Sequence, residues 1–184
     1  RALVTSDELI ILDEPITNLD AKLREEMIVE IRRIQQEVGT TILFITHDQE
    51  TALRLCDKIA VMGMDGAINQ IGTGEEIIKQ PANRFVYDFF GVVNFIKVYQ
   101  RDGRIYTEKG DHEVQDAPCE DFSQEKLDMG IRHTNIIFDE TSEIKATVKS
   151  QVFLGNKYSY FVDFYGKKIR IESNAFGVGN QRVY

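Results

Sequence analysis

The order of apolar and amphipathic stretches in residues 1–91 constrains the fold more than any other feature of this sequence. Short apolar runs, such as ELIIL, TILFIT and KIAVM, alternate with stretches whose apolar residues recur at helical spacing. Strands that alternate with helices are typical of an α/β layer built on a parallel sheet. The sequence therefore predicts an α/β fold for residues 1–91.

One of these stretches, residues 21–38, is predicted to be an amphipathic helix. Asp20 precedes it and can accept hydrogen bonds from the first backbone amides, while Gly39 follows as a stop signal. The apolar positions recur every three or four residues, which places them on one face. This predicted buried face consists of Leu23, Met27, Ile31, Ile34 and Val38.

After residue 91 the helical periodicity fades, and short alternating runs are separated by turn residues. Five or more strands within ~90 residues predict a small all-β barrel or sandwich. We expect Tyr158, Tyr160 and Phe164 to belong to its core, rather than to a platform on which nucleic-acid bases stack. The predicted hairpin turns are Asp102-Gly103, Gly155-Asn156 and Tyr165-Gly166.

The composition is that of a soluble globular chain, since 42 % of the 184 residues are hydrophobic and 28 % are charged. The net charge is −8, and residues 1–91 carry −7 of it, from 9 Lys and Arg against 16 Asp and Glu. Because no basic surface is indicated, a nucleic-acid partner is disfavoured. No apolar run is long enough to span a membrane and no secretory signal is present, so we expect a cytoplasmic protein. Cys56 and Cys119 have neither a CxxC partner nor metal-ligand spacing, and we assign them no function.

The segment ILDEPITNLD, residues 11–20, places Asp13 and Glu14 directly after an apolar run. The continuous run Leu9–Leu12 predicts a strand buried on both faces, and the carboxyl ends of such strands border the ligand crevice of an open α/β sheet. An aspartate there suits Mg²⁺, and a neighbouring glutamate suits a base that orients water toward a phosphoryl group. The alternative is that both acids merely begin a solvated turn before Pro15.

A histidine, His47, follows the next apolar run, TILFIT. If the two strands are neighbours, His47 lies in the same crevice as the acidic pair. Histidine is well suited to contact a terminal phosphate near neutral pH. A purely structural histidine at the end of a strand remains the alternative.

Taken together, these motifs resemble the ATP-binding subunits of ABC transporters, of the importer type that drives uptake of iron, polyamines, sugars or oxyanions. LIILDEP is similar to the Walker B motif with its catalytic glutamate, TNLD to the D-loop, and THDQETAL to the switch-histidine loop. The later segments DKIAVM, GAINQIGTGEEI and PANRFVYDFFG resemble the strand, hairpin and closing helices of that family, so the resemblance covers residues 1–91.

The resemblance implies a role for four residues. Asp13 would hold Mg²⁺, Glu14 would polarise the attacking water, His47 would contact the γ-phosphate of ATP, and Asp20 would couple two sites across a homodimer. It also implies transmembrane permease subunits as partners, which would hold the protein at the inner face of the cell membrane.

Half of the expected nucleotide site is missing from these 184 residues. They contain no GxxxxGK[ST], no glutamine loop and no LSGGQ signature, so the backbone cradle and the lysine that bind the β- and γ-phosphates are absent. We therefore expect the chain to be the carboxyl-terminal portion of a longer ATPase and to be inactive by itself.

Residues 92–184 resemble the TOBE domain, an OB-like barrel appended to many importer ATPases. MGIRHTNIIF is similar to the IRP-type segment of that domain, although His133 stands where a proline is common. In this family the appended domains commonly contact each other, so the resemblance implies a homodimer formed mainly through residues after Val92.

Two other classes of function stay open at this point. The chain could be a stand-alone regulatory or small-ligand-binding module without ATPase activity. Chromosome and DNA-repair ATPases also carry Walker B and switch-histidine patterns, but they would continue into coiled coil or a basic surface. This chain continues into short strands with little net charge.

Overall fold

The computed structural model of the chain describes residues 9–114, 126–139, 141–142 and 144–174. Cys119 and the opening segment RAL lie outside these residues. The chain divides into two compact units, Arg1–Phe90 and Gly91–Tyr184.

The first unit contains a parallel pair of strands joined by a helix. β1 (Leu9–Asp13) leads through α1 (Ala21–Val38) to β2 (Thr41–Ile45), which pairs with β1 so that Asp13 lies opposite Ile45. This β–α–β connection is the unit of a parallel sheet that the sequence predicted. β2 is followed by α2 (Gln49–Leu55).

The ends of α1 are set by the two residues predicted to set them. The Asp20 carboxylate accepts a hydrogen bond from the Leu23 amide at 2.9 Å, as an N-cap does. Gly39 adopts φ +70°, a left-handed conformation that glycine reaches without a steric penalty, and its amide donates to the Gln35 carbonyl at 2.8 Å.

The predicted buried face of α1 is partly wrong. Ile28 and Ile31 form its buried centre together with Ile16, whereas Leu23 and Val38 are 40 % and 54 % exposed. Two strands of five residues cover only the middle of an 18-residue helix, so its end positions remain in solvent.

The expectation that the first strand is buried on both faces is also wrong. Ile10 is 4 % exposed, but its neighbour Ile11 is 58 % exposed, because alternate side chains of a strand point to opposite faces. The buried face packs on α1. The opposite face exposes Leu9, Ile11, Leu43 and Ile45.

The rest of the first unit forms a second small core. β3 (Ile59–Met62) and β4 (Ile68–Gly72) pair as an antiparallel hairpin and are followed by α3 (Gly74–Lys79) and α4 (Arg84–Phe89). Thr73 and Glu76 form a reciprocal capping box at the start of α3. The buried residues of this core are Ile59, Val61, Ile77, Val86 and Phe90.

The second unit contains two antiparallel sheets of three strands each. In the first sheet, β5 (Val93–Arg101) lies between β6 (Arg104–Thr107) and β7 (Lys126–Arg132). In the second, β9 (Tyr158–Phe164) lies between β8 (Thr147–Phe153) and β10 (Lys167–Ser173).

The predicted turns join neighbouring strands of these sheets. Asp102-Gly103 and Tyr165-Gly166 each place both residues at positive φ, with values from 50° to 82°. Two consecutive left-handed residues match the twist of the flanking strands in a tight hairpin, which is why glycine occupies the second position. Gly155, at φ +94°, lies in the turn between β8 and β9.

Both sheets contribute to one hydrophobic core. Ile96, Val98 and Ile105 come from the first sheet, and they join residues of β9 and β10. Tyr160 is completely buried there, while Tyr158 and Phe164 pack against it partly buried, as predicted. The described strands therefore form two sheets on a shared core, and no hydrogen-bonded ladder between the described strands closes them into a barrel.

Within the described ranges, no helix combines the length and the apolar composition that crossing a membrane requires.

Candidate functional site

The parallel pairing of β1 and β2 brings Glu14 and His47 together at the carboxyl ends of these strands. The Glu14 amide donates to the Ile45 carbonyl at 2.9 Å, which extends the ladder one residue beyond β1. Oε1 of Glu14 then accepts from the His47 amide at 3.1 Å and lies 2.6 Å from Nδ1 of the same residue. One carboxylate oxygen thus fixes both the backbone and the ring of His47.

Glu14 adopts a backbone conformation that is unusual for its residue type. Its φ is +47°, in the left-handed region, where a residue with a Cβ is disfavoured by about 1 kcal/mol or more. The chain leaves β1 at this point and turns toward Pro15. Residues other than glycine that adopt the left-handed conformation are concentrated at functional positions. In Glu14 this conformation is held by the hydrogen bonds to Ile45 and His47.

The second oxygen of Glu14 is also occupied. The Thr17 hydroxyl donates to Oε2, so each carboxylate oxygen accepts at least one hydrogen bond. This hydroxyl, and after it the His47 ring, lower the pKa of Glu14 below its ordinary value. Glu14 is therefore a fixed negative charge at neutral pH.

The ring of His47 is open to solvent although it is anchored. Its side chain is 74 % exposed, and the contact with a carboxylate places a proton on Nδ1, because a carboxylate can only accept. The other ring nitrogen, Nε2, has no hydrogen-bond partner among the described residues. It is the atom that a ligand can reach.

Asp13, the last residue of β1, is exposed, and its carboxylate makes no hydrogen bond or ion pair with a described residue. No group of three potential ligands among His, Cys, Asp and Glu converges on one point within the described part of the chain. A single free carboxylate fits Mg²⁺, which usually takes one or two carboxylates and completes its shell with water and phosphate oxygens. It does not fit Zn²⁺, which requires several protein ligands.

Asp20 is not drawn into this cluster. Its carboxylate caps α1, and the structure records no hydrogen bond from it to Glu14 or His47. Of the four candidate residues, the structure therefore brings Glu14 and His47 into contact, leaves Asp13 beside them in sequence, and places Asp20 at the far end of the connecting segment.

Thr17 was not singled out from the sequence. Its hydroxyl holds the second oxygen of Glu14, and the only available signal was a hydroxyl residue three positions after a glutamate, across a turn. Such a pattern is common in turns and indicates no function by itself.

The second unit contains a cavity of about 620 Å³. Its wall is mainly apolar and includes core residues such as Ile96 and Val162. Two of its polar residues are already engaged: Asn94 bonds the Arg170 backbone at 2.7 and 2.8 Å, and the Thr107 hydroxyl donates to the Lys109 carbonyl. The polar groups of Asn94 and Thr107 are therefore directed to the protein's own backbone.

Comparison with known proteins identifies close relatives over most of the chain. It is 39 % identical over 176 residues to a spermidine/putrescine import ATP-binding protein of Pseudomonas aeruginosa, covering 88 % of this chain and 46 % of the relative. Identity to a protein of the same description from Clostridium acetobutylicum is 41 % over 167 residues, covering 89 % and 46 %. An Fe(3+) ions import ATP-binding protein of Fusobacterium nucleatum is 39 % identical over 176 residues, covering 93 % and 47 %.

The chain spans about half the length of the curated relatives it matches. No protein-family model matches it.

Proposed function

We propose that this chain, which belongs to the ATP-binding subunits of ABC importers as a carboxyl-terminal portion, provides the metal and water side of an ATP-hydrolysis site. The observation that carries the proposal is the contact of Glu14 with His47 at the ends of two parallel strands. Crevices at such strand ends are the usual ligand positions of α/β sheets.

In the proposed reaction Glu14 orients the attacking water. Its charge is fixed by Thr17 and His47, so it can hold a water by accepting a hydrogen bond from it. Attack on a phosphoryl group requires little covalent help from the protein, and positioning of the nucleophile is the main task.

His47 contacts the γ-phosphate through Nε2 in this proposal. Because Nδ1 already carries a proton, Nε2 can donate to a phosphate oxygen only when the ring is doubly protonated.

Asp13 is the proposed ligand of Mg²⁺, which when bound would neutralise charge on the phosphate oxygens. Its exposed carboxylate stands one residue before Glu14, so both act at the same edge of the sheet. The cradle for the β- and γ-phosphates would come from a part of the subunit outside these 184 residues.

The remaining proposals concern assembly. Asp20 couples two sites across a homodimer, residues 92–184 form a TOBE-type, OB-like domain that contributes to the dimer, and permease subunits hold the protein at the inner face of the membrane. The chain has similar sequence identity to a relative named for spermidine/putrescine import and to one named for Fe(3+) ions import. Sequence identity therefore does not indicate which solute is transported.

The test compares Glu14→Gln with Asp13→Asn in the complete ATP-binding subunit. Glu14→Gln should keep ATP binding and lower single-turnover hydrolysis by roughly 10²-fold or more, as expected for loss of a positioned base. Asp13→Asn should weaken both the Mg²⁺ dependence and ATP binding, since a hard cation loses a charged oxygen ligand. Asp65→Asn, in the turn between β3 and β4, is the matched control and should change neither.

Near-parental turnover in Glu14→Gln, or an identical loss of ATP binding in both variants, would contradict the proposed division of roles. The alternative of an acidic turn before Pro15 would then be favoured.

A further inference from the structure

Arg24, in the first turns of α1, contacts both segments that flank the Glu14–His47 pair. Its NH1 atom lies 3.5 Å from Oδ2 of Asp48, the residue after His47. Its NH2 atom donates to the Leu19 carbonyl at 3.3 Å, in the segment that carries Thr17. A single planar guanidinium therefore spans the same two loops that the Glu14 carboxylate joins through Thr17 and His47.

On one side, Arg24 acts on a loop that is already well ordered. The Asp48 carboxylate accepts from the Thr51 amide at 3.1 Å and caps α2, while the Asp48 amide donates to the Thr46 hydroxyl oxygen at 3.0 Å. Partial burial tends to raise the pKa of Asp48, but the Thr51 amide and hydroxyl and the Arg24 guanidinium outweigh it and lower that pKa. Asp48 is thus a stable anionic partner for Arg24.

On the other side, Arg24 holds the turn after Glu14. The Leu19 amide donates to the Ile16 carbonyl at 3.3 Å, which closes a tight turn around Thr17. The Thr17 hydroxyl in turn bonds Oε2 of Glu14. Through the Leu19 carbonyl, Arg24 thus contacts the end of the turn that presents Thr17 to the glutamate.

We propose that Arg24 is a positioning residue that sets the spacing between the Thr17 turn and the His47 loop, and thereby holds the Glu14 carboxylate between Thr17 and His47. This inference rests on the proposed function, because it assigns Arg24 a part in that same site. In this proposal Arg24 contacts neither the attacking water nor the phosphate and acts only through its two neighbours.

The geometry separates this role from ordinary stabilisation. Nε of Arg24 is buried and has no hydrogen-bond partner among the described residues, so the guanidinium leaves one donor unsatisfied. Lysine would remove that unsatisfied donor and keep the charge, yet one ammonium group cannot reproduce the fork that spans Asp48 and Leu19. A stabilising role predicts that Arg24→Lys is harmless, whereas a positioning role predicts that it is not.

Arg54 offers a matched control. It also joins α2 to α1 through an ion pair, with Glu25, but neither member contacts the Thr17 turn or the His47 loop. Arg54→Met therefore removes a helix-to-helix charge contact of the same type without touching the site.

The first experiment uses the 184-residue chain and needs no nucleotide. NMR spectra recorded at one pH near neutrality should show that Arg24→Met changes the ¹³C chemical shift of the Glu14 carboxyl and the ¹⁵N chemical shifts of the His47 ring. Arg54→Met should leave both unchanged. Unchanged Glu14 and His47 signals in Arg24→Met would overturn the proposal.

The second experiment uses the complete ATP-binding subunit. Arg24→Met and Asp48→Asn should each lower kcat for ATP hydrolysis on the order of 10-fold, with KM for ATP within about twofold of the parent. Asparagine keeps the cap of α2, so Asp48→Asn removes only the charge that faces Arg24. The double variant should lose no more than the more impaired single variant, because both changes break one contact.

Arg24→Lys should retain the thermal stability of the parent and recover only part of kcat. Full recovery of kcat in Arg24→Lys, or additive losses of kcat in the double variant, would overturn the positioning role. If Arg24→Met does not fold, Arg24→Lys and Asp48→Asn decide the question. A parent subunit that hydrolyses no ATP would contradict the proposed function instead, while the NMR experiment would still test Arg24.

Discussion

Nδ1 of His47 lies 2.6 Å from Oε1 of Glu14 although the residues are 33 positions apart in the sequence. The register of the parallel strands produces this contact, since Asp13 lies opposite Ile45 and the next residues continue the pairing. A slip of one residue would turn the carboxylate to the other face of the sheet. The site therefore depends on the packing of α1 against β1 and β2, which fixes that register.

Replacing Thr17 by valine should raise the pKa of Glu14 toward its ordinary value, because the hydroxyl on Oε2 is the largest cause of its lowering. A carboxyl whose pKa is lowered by folding contributes stability above its unfolded pKa, and this stability is lost as pH falls through the folded pKa. In Thr17→Val the free energy of unfolding should therefore fall less steeply than in the parent as pH drops through the carboxyl range.

Titration of the Glu14 carboxyl by ¹³C NMR measures this directly. Thr41→Val, at the opposite end of β2, is the control and should leave the titration unchanged. An unaltered Glu14 titration in Thr17→Val would show that the hydroxyl does not hold the carboxylate.

Asp20→Ala should destabilise the first unit by about 1 kcal/mol, because the Leu23 amide loses its only cap. Asp20→Asn keeps the acceptor and should cost only a few tenths of that amount. Urea unfolding followed by circular dichroism compares the two. Equal losses in both variants would show that the charge, rather than the cap, stabilises α1.

The helix α1 was predictable because its signals are local. Asp20, Gly39 and the spacing of apolar residues lie within or beside the helix itself, and the structure ends it at the predicted residues. The tight turns at Asp102-Gly103 and Tyr165-Gly166 were predictable for the same reason.

Burial was less predictable, because it depends on what lies opposite. The run Leu9–Leu12 has the composition of a strand covered on both faces, yet Ile11 is 58 % exposed. Composition records that a face is apolar but not whether another segment packs on it. Thr17 and Arg24 were missed since their roles arise from contacts made across turns and between loops.

The role of His133, which stands where a proline is common in the resembled family, emerges only from the fold. Its amide donates to the Val92 carbonyl at 3.2 Å, a bond that proline cannot make, and Nδ1 lies 2.7 Å from the same oxygen. Nε2 faces the Glu172 carboxylate at 3.0 Å. This histidine ties the first residues of the second unit to β10.

Glu172→Gln should destabilise the second unit by about 2 kcal/mol at pH 7, because it leaves the Lys157 ammonium and the Arg170 guanidinium without this counter-ion. The Glu172 side chain is 6 % exposed and contacts His133, Lys157 and Arg170. Burial would raise the pKa of Glu172, but the Lys157 ammonium, His133 and Arg170 outweigh it and lower that pKa. The stability from Glu172 is therefore present above its ordinary pKa of 4.5 and lost as pH falls below it.

Thermal unfolding between pH 7 and pH 3 should show a weaker pH dependence in Glu172→Gln than in the parent. Glu113→Gln, which removes an exposed ion pair with Arg104, is the matched control and should cost less than about 0.5 kcal/mol. Similar losses of unfolding free energy in Glu172→Gln and Glu113→Gln would show that the charged contacts of Glu172 are not the source of the stabilisation.

We predict that residues 1–90 are the weaker half of the isolated chain. The β1–β2 sheet exposes the apolar side chains of one face, and the described residues of this unit form two small separate cores, whereas the described residues of the second unit form one larger core. Limited proteolysis should cleave the first unit before the second, and the protected fragment should still form the proposed homodimer in analytical ultracentrifugation. Early digestion of residues 92–184 would contradict both expectations.

The isolated 184-residue chain should neither bind Mg-ATP tightly nor hydrolyse it. The proposed site contacts the metal, the water and the terminal phosphate through Asp13, Glu14 and His47. Most of the binding energy for a nucleotide comes from the backbone cradle and the lysine of a GxxxxGK[ST] loop, and the 184-residue sequence contains no such loop. Isothermal calorimetry of the chain and of the complete subunit makes the comparison in one buffer with excess Mg²⁺. The isolated chain should bind Mg-ATP at least about 100-fold more weakly than the complete subunit, a difference of about 2.7 kcal/mol in binding free energy. Micromolar binding by the isolated chain would mean that it holds a phosphate site of its own, and the assignment of Asp13, Glu14 and His47 to only the metal and water side would be wrong.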